Sequence, residues 1–215
     1  MIDIVGELNA VQRQTGEGKT PAGDGRTVVL RREYKAAAED VWDAITDPER
    51  IRRWFLPVEG DLRVGGRYQV IGNAGGEILR CEPPRLLAVS WYFGERTEND
   101  FSEVTVRLEA LGEDVTALEL EHLAVVEAAR WTEFGPGAVG VGWEGALMGL
   151  GLHLAGGSIE DPEAWSISPE AREYYAGSAA AWGRAHEASG ATAQEAATAA
   201  ANTKNFYAPE PGPTG

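Results

Sequence analysis

Three histidines are the side chains of this sequence that can exchange a proton near neutral pH. They are His122, His153 and His186, and they lie far apart in the chain. His122 continues the inward phase of Leu118 and Leu120 on a predicted strand, so it is the one catalytic candidate, able to polarise a carbonyl or shuttle a proton. The alternative, which we favour, is a histidine near the surface at the end of that strand.

Metal sites, activated nucleophiles and phosphate-binding loops each have a characteristic pattern, and none of these patterns is present. No histidine has a second histidine or a cysteine at zinc-ligand spacing, and no Gly-x-Ser-x-Gly motif occurs. The glycine-rich stretch 72–76 lacks the Lys-Ser/Thr pair of a phosphate-binding loop, so it is predicted to be a hairpin turn. We therefore expect no metal and no cofactor.

The aromatic residues are the more informative group. Tyr68 and Trp91 fall on predicted strands, and Trp143 falls on the helix that is expected to face them. Ligand pockets are mostly apolar with a few polar anchors, so the group predicts a hydrophobic small-molecule site, although each residue alone fits a core position equally well. Arg32 and Arg67 are candidate anchors for an anionic ligand group. The predicted ligand contacts are Trp54, Phe55, Tyr68, Val70, Trp91, Val104, His122, Trp143 and Leu147.

These residues must be positioned by a set of short strands. Strands are predicted over 27–34, 67–71, 77–81, 86–93, 101–111 and 115–123, and their short connections favour an antiparallel meander. Alternation in the last two strands predicts one buried and one solvated face. Residues 11–26 are predicted to form a loop, which leaves open a hairpin with residues 2–5. Helices are predicted over 36–46 and, capped by Asp47, from there to about residue 54.

A long helix follows the strands and starts at Pro136-Gly137. Its apolar stripe extends to Leu154. Each of its internal glycines costs ~1 kcal/mol relative to alanine, which predicts that the sheet, the tail or a second subunit approaches closely. Glu144 is predicted on a solvated face, with the cavity rim as the alternative. Helices over 169–188 and 192–205 form a predicted extension that docks on the main domain.

Composition and charge exclude several classes of partner. The chain has 215 residues, a formal net charge of -15 and a pI of about 4.6, which argues against nucleic acid and against anionic membranes. No stretch approaches the ~20 apolar residues of a membrane span. Cys81 is the single cysteine, so no intrachain disulfide can form, and a cytoplasmic location is predicted. It is interpreted as a small, packed strand residue.

Several short motifs in a fixed order resemble a known family. They are Val41-Trp42-Asp43-Ala44-Ile45-Thr46-Asp47-Pro48, Arg53-Trp54-Phe55, Gly65-Gly66-Arg67-Tyr68, Gly76-Glu77-Ile78-Leu79, Pro83-Pro84-Arg85-Leu86, Ser90-Trp91, Val104-Thr105-Val106 and Gly142-Trp143-Glu144-Gly145. Together they resemble the domain shared with activators of the ninety-kilodalton heat-shock chaperone ATPase, within the START-like superfamily of polyketide cyclases and the birch-pollen allergen. The resemblance covers a little over half of the chain, and the group that it indicates includes stand-alone bacterial proteins.

The resemblance implies an α+β helix-grip fold, in which a curved antiparallel sheet wraps around a long C-terminal helix and leaves a pocket. It supplies no reaction, because fold analogy does not choose a function. Two features depart from the family pattern: alanines replace the proline expected before the first helix, and an extra helical tail follows the long helix. The predicted organisation is a lead-in over 1–26, a ligand-binding domain over 27–156, a helical extension over 157–208 and a disordered tail over 209–215.

Three functions remain open at this point. The first is binding of an apolar or aromatic small molecule between the sheet and the long helix. The second is a cyclase- or lyase-type enzyme acting on a polyketide-like or enolisable substrate, and the third is a chaperone-interacting module. A homodimer through the glycine-rich helix or the extension also stays open. An apolar pocket without convergent titratable groups would favour the first function, and paired polar side chains inside it would favour the second.

Overall fold

An antiparallel sheet and a long helix organise the chain in the computed structural model, which describes residues 2–94, 97 and 100–209. Within these residues the strands are β1 (Val11–Thr20), β2 (Gly23–Tyr34), β3 (Val58–Gly60), β4 (Arg67–Val70), β5 (Gly75–Glu82), β6 (Leu86–Ser90), β7 (Ser102–Gly112) and β8 (Val115–Ala124). The helices are α1 (Ile4–Asn9), α2 (Ala38–Thr46), α3 (Pro48–Ile51), α4 (Ala128–Phe134), α5 (Gly137–Leu154), α6 (Pro162–Ser166), α7 (Pro169–Ala188) and α8 (Ala193–Tyr207).

The strand order explains how the sheet encloses a core. It is β1-β2-β8-β7-β6-β5-β4-β3, with antiparallel neighbours throughout. From β3 to β8, neighbours in the sheet are also neighbours in the chain, as the predicted meander requires. Alternate residues of β2, β7 and β8 pack against α5, and the α+β helix-grip fold is confirmed. The shared core contains Val28, Leu30, Val104, Leu108, Leu118, Leu120, Val141, Leu147 and Leu150.

The N-terminal region differs from the prediction. Residues 11–26 are not a loop, because β1 pairs with β2 from Val11↔Arg32 to Thr20↔Gly23. The sequence of β1 is polar and contains glycines, so it lacks the alternation of apolar and polar residues that identifies a strand. The strand forms because it pairs with β2. Residues 2–5 are not a strand either: α1 starts at Ile4, and the Asp3 carboxylate accepts a hydrogen bond from Gly6 N at 2.9 Å. The helix α3 ends at Ile51 rather than near residue 54.

The glycines of α5 allow close contacts within this same chain. A Cβ on Gly140 would lie 2.2 Å from the Trp182 ring of α7, and a Cβ on Gly149 would lie 2.6 Å from the Trp54 carbonyl oxygen. On Gly137 it would lie 2.6 Å from the Thr203 hydroxyl of α8. The predicted close approach is therefore made by the extension, by the chain after α3 and, at Gly151, by Arg32 of the sheet. By contrast, a Cβ on Gly145 would meet no described atom within 4 Å.

Glu144 is the largest departure from the predicted pattern of α5, because it is fully buried instead of solvated. Its carboxylate accepts hydrogen bonds from Arg13 Nε at 2.9 Å, Ser178 Oγ at 2.9 Å and Trp182 Nε1 at 3.1 Å, and Arg13 Nη2 is also bound to it. A buried carboxylate requires such compensation. These contacts tie β1, α5 and α7 together.

The extension forms the predicted helices and packs against the rest of the chain. Ser168 caps α7, and a capping box of Thr192 and Glu195 starts α8. The described helices include none long and apolar enough to cross a membrane. Residues 95, 96, 98 and 99, between the predicted strands 86–93 and 101–111, and residues 210–215 of the predicted disordered tail lie outside the described residues. The division into domains stays a prediction, apart from the lead-in, whose residues 11–26 belong to the sheet.

Two glycines of α5 should respond in opposite ways to alanine. Gly140→Ala forces a methyl group into the Trp182 ring and should lower the free energy of unfolding by ~1–3 kcal/mol. Gly145→Ala should raise it by up to ~1 kcal/mol, because its methyl group has space and alanine favours a helix. Urea unfolding of both variants measures the difference. A loss of stability in both would contradict the packing described for α5.

Candidate ligand-binding site

A cavity of about 450 Å³ lies between the sheet and α5. Its walls come from α5, from the sheet strands and from the segment that leaves α3. The structure brings eight of the nine predicted ligand contacts to this cavity: Trp54, Phe55, Tyr68, Val70, Trp91, Val104, Trp143 and Leu147. The ninth, His122, contacts the Trp143 side chain instead of being one of the lining residues. That these residues bind a ligand stays a prediction.

Trp54, Tyr68 and Trp143 present their apolar surfaces to the cavity, since their polar side-chain atoms are bound to other parts of the protein. Trp54 Nε1 donates to the Ala44 carbonyl at 2.9 Å, and Tyr68 Oη donates to the Ser90 carbonyl at 2.7 Å. Burial raises the pKa of Tyr68, which keeps its hydroxyl protonated. The rings of Trp91 and Trp143 lie 4.8 Å apart and those of Tyr68 and Trp91 6.3 Å apart, both at tilted angles. Such pairs form a continuous aromatic wall.

His122 is buried, so the favoured prediction of a surface histidine is wrong. His122 lies on the same, buried face of β8 as Leu118 and Leu120, as its position in the strand predicted. Trp143 Nε1 donates to His122 Nδ1 at 3.0 Å, and His122 Nε2 lies 2.8 Å from Ser102 Oγ. An indole N–H only donates, so Nδ1 is the acceptor and the neutral ring carries its proton on Nε2. Burial lowers the pKa of His122 to about 4.

The Ser102–His122 contact has the distance of a nucleophile–base pair but not its proton arrangement. A base must accept the serine proton on the facing nitrogen, whereas Nε2 of His122 already carries a proton and donates to Ser102. The unprotonated nitrogen, Nδ1, already accepts the hydrogen bond from Trp143 Nε1. This geometry favours a positioning role for His122, which holds the Trp143 indole against the cavity. A catalytic role for His122 stays an untested prediction.

The arginines expected to anchor an anionic group do not line the cavity. Arg32 is buried beside α5, where its Nη1 donates to Glu7 at 2.6 Å, and Arg67 is exposed at the start of β4. Alternation on β2 and β4 indicated the face of the sheet on which each arginine lies. It could not show that the Arg32 side chain would bind Glu7 instead of pointing into the cavity. Arg63 lines the cavity instead. It belongs to the loop 61–66, whose Leu62 and Val64 are 41% and 54% exposed.

The exposed lining residues mark the cavity mouth, which consists of the loop 61–66 and the end of β5. Cys81 belongs to this mouth. It lies on a strand as predicted, but it is exposed rather than packed. The physical reason is its place near the end of β5, where a bulge between Ile78 and Arg80 interrupts the pairing register. The mouth could not be predicted from the sequence, because a loop carrying single apolar residues has no periodicity.

A larger groove of about 800 Å³ lies on β3 to β6, but its lining is polar. Glu59, Arg67, Gln69 and Glu77 are among its residues, and Tyr68 is the one residue shared with the apolar cavity. Size alone does not define a ligand site, and we assign the candidate site to the smaller cavity because its walls are apolar and aromatic. Among the described residues, no group of three or more histidine, cysteine or acidic side chains is arranged to hold a metal.

Fold and site together define a member of the START-like helix-grip superfamily. Residues 35–155 match the family described as Activator of Hsp90 ATPase homolog 1-like protein. The match spans more than half of the chain, and the protein belongs to this family. The predicted resemblance is thereby confirmed.

Solved structures extend the similarity beyond the family region. The crystal structure of CalU16 from Micromonospora echinospora is 40% identical, with 83% of this chain and 99% of that chain covered and a TM-score of 0.64. The solution structure of CalU16 is 39% identical, with 88% and 97% covered and a TM-score of 0.65. Protein MLL2253 from Mesorhizobium loti is 26% identical, with 61% and 97% covered and a TM-score of 0.52. Comparison with curated proteins finds no match.

The buried imidazole of His122 predicts a specific dependence of stability on pH. Its folded pKa of about 4 lies below the ordinary value of 6.5, so the unfolded chain binds the proton first as pH falls. The free energy of unfolding therefore has its full value above pH 6.5. It decreases as the pH falls toward 4, by about 3 kcal/mol in total. His122→Asn keeps an acceptor for Trp143 and removes this titration.

Urea unfolding between pH 7 and pH 4 should therefore give a shallower pH dependence for His122→Asn than for the unmodified protein. His153 and His186 titrate in both proteins, so their contribution cancels in the comparison. Equal slopes would show that His122 is accessible to protons in the folded state.

Proposed function

We propose that this protein binds an apolar or aromatic small molecule in the cavity between the sheet and α5. The observation that carries the proposal is the cavity itself, with about 450 Å³ of space inside walls of aromatic and aliphatic side chains. Empty apolar space is unfavourable because the lining atoms lose dispersion contacts. A guest molecule restores these contacts, and the volume falls within the usual range for ligand pockets.

The polar groups of the cavity support binding over a cyclase- or lyase-type reaction. Among the described lining residues, those with ionisable side chains are Arg63, Tyr68 and Cys81. The Tyr68 hydroxyl is engaged by the Ser90 carbonyl, and Arg63 and Cys81 lie at the exposed mouth. Acid–base chemistry needs at least two polar groups within hydrogen-bond reach of the reacting atoms. The described interior offers no such pair to a substrate.

A chaperone-interacting role is the second candidate, favoured by the description of the family. An interaction module does not need an internal cavity, so the aromatic walls favour ligand binding as the primary role. Homodimerisation and a cytoplasmic location stay predictions. Native mass spectrometry of the freshly purified protein reports a co-purified small molecule and the subunit count in one measurement.

Filling the cavity should abolish binding without disturbing the fold. Ala146 lies on the cavity side of α5, and Ala146→Phe should lower the affinity for the neutral dye phenylnaphthylamine by roughly tenfold or more, because the new ring occupies the site. Val139→Phe adds a ring to the same helix at an exposed position outside the cavity, and it should leave the affinity unchanged. Dye fluorescence titration measures both.

Circular dichroism and urea unfolding establish that both variants are folded before the titrations are compared. Failure of the unmodified protein to bind the dye, or equal affinities for the two variants, would contradict the proposed function. Affinities of both variants equal to that of the unmodified protein would indicate that the dye binds at a surface site outside the cavity.

A further inference from the structure

We infer that the cavity takes a ligand with an apolar body and one acidic group, and that Arg63 binds this acidic group at the mouth. The inference rests on the proposed function and specifies the chemical class of its ligand. Among the described residues that line the cavity, Arg63 is the one that carries a formal charge at neutral pH. None of the deeper lining positions carries a charge, and the polar atoms of Tyr68 and Trp54 are bound to the protein.

The loop that presents Arg63 is held firmly against β5. Gly65 N donates to the Ile78 carbonyl at 2.8 Å, and Ile78 N donates back to the Gly66 carbonyl at 3.0 Å. A Cβ on Gly66 would lie 2.0 Å from the Asp61 carbonyl oxygen, so glycine is required for this tight turn. The exposure of Leu62 and Val64 is therefore built into the backbone of the loop. Their side chains form an apolar rim on either side of Arg63.

The Arg63 guanidinium is oriented while part of its donor set stays open. Its Nε lies 3.0 and 2.9 Å from the two carboxylate oxygens of Asp61. Nη1 and Nη2 donate no hydrogen bond to a described residue. A guanidinium offers parallel N–H groups that match a carboxylate, sulfonate or phosphate. The exposed Asp61 contact contributes little stability, so it sets the direction of Arg63 without preventing contact with a ligand anion.

The charge distribution along the chain agrees with an anionic group at this place. Residues 50–85 contain seven arginines and four acidic residues, a net charge of +3 in a chain whose net charge is -15. This segment supplies the mouth and one side of the cavity, from Ile51 to Pro83. Arg50 and Arg52 pair with Asp40 and Glu49 outside the segment, so the segment is less acidic than the rest of the chain and repels an approaching anion less.

Desolvation then decides which end of the ligand enters. Moving an unpaired carboxylate into apolar surroundings is strongly unfavourable, and the described residues that line the cavity below its mouth include no cation to compensate it. The acidic group therefore stays at the solvated mouth beside Arg63, and the hydrocarbon or aromatic body fills the space below Leu62 and Val64. A neutral ligand of the same shape gains the apolar contacts only.

Two dyes that differ by one acidic group test this inference. Anilinonaphthalene sulfonate and phenylnaphthylamine share the same ring system, and the second lacks the sulfonate. Arg63→Gln should weaken binding of the sulfonate dye by roughly tenfold and change the affinity for the neutral dye less than about twofold. Arg67→Gln removes an arginine of the same positive segment that is absent from the apolar cavity, and it should affect neither dye by that amount.

The outcomes separate the inference from the proposed function. If the neutral dye binds in the cavity but Arg63→Gln leaves the sulfonate affinity unchanged, or weakens both dyes equally, the inference is overturned and the proposed function stands. If neither dye binds the unmodified protein, the proposed function fails and the inference fails with it. Selective weakening of the sulfonate dye, with the Ala146→Phe variant binding neither, supports both.

Discussion

The buried carboxylate of Glu144 imposes a requirement that the rest of the structure must satisfy. An ionised carboxylate without solvent is tolerated only with charge and hydrogen-bond compensation. That compensation comes from Arg13 near the N-terminus and from Ser178 and Trp182 in the extension. The helix α5 can therefore occupy its central position only when segments from both ends of the chain pack against it. This interaction explains why the strands and helices outside residues 35–155 are integrated with the family fold.

The two sides of α5 have consequently different roles. Glu144 lies on the side of α5 that faces β1 and α7. There its hydrogen bonds and the close packing of Gly140 against Trp182 fix the distance between α5 and α7. The neighbouring residue Trp143 directs the other side toward the cavity, and its indole is held by His122. Rigidity on the first side keeps the second side in place, which allows the sheet and the helix to remain apart over an apolar space instead of collapsing onto each other.

Sequence periodicity predicted the sheet and the long helix because their apolar residues alternate or recur at regular spacing. It also placed Tyr68, Trp91 and Trp143 around one cavity, since strand and helix phase determine the direction of a side chain. It failed for β1, whose alternation is polar, and for Glu144, because a charged residue on a helix is normally solvated. Pairing partners such as Arg13 and Ser178 lie far away in sequence, and no local pattern indicates them.

The contact between Gly149 and the Trp54 carbonyl has a consequence for how the cavity can differ among relatives. Two stretches of main chain meet there with no side chain between them, since a Cβ would lie 2.6 Å from the oxygen. The distance between α5 and the cavity wall around Trp54 is therefore set by main-chain atoms. It does not depend on the side chains that line the cavity. Substitutions around the cavity can therefore reshape the space available to a guest while the scaffold keeps its dimensions.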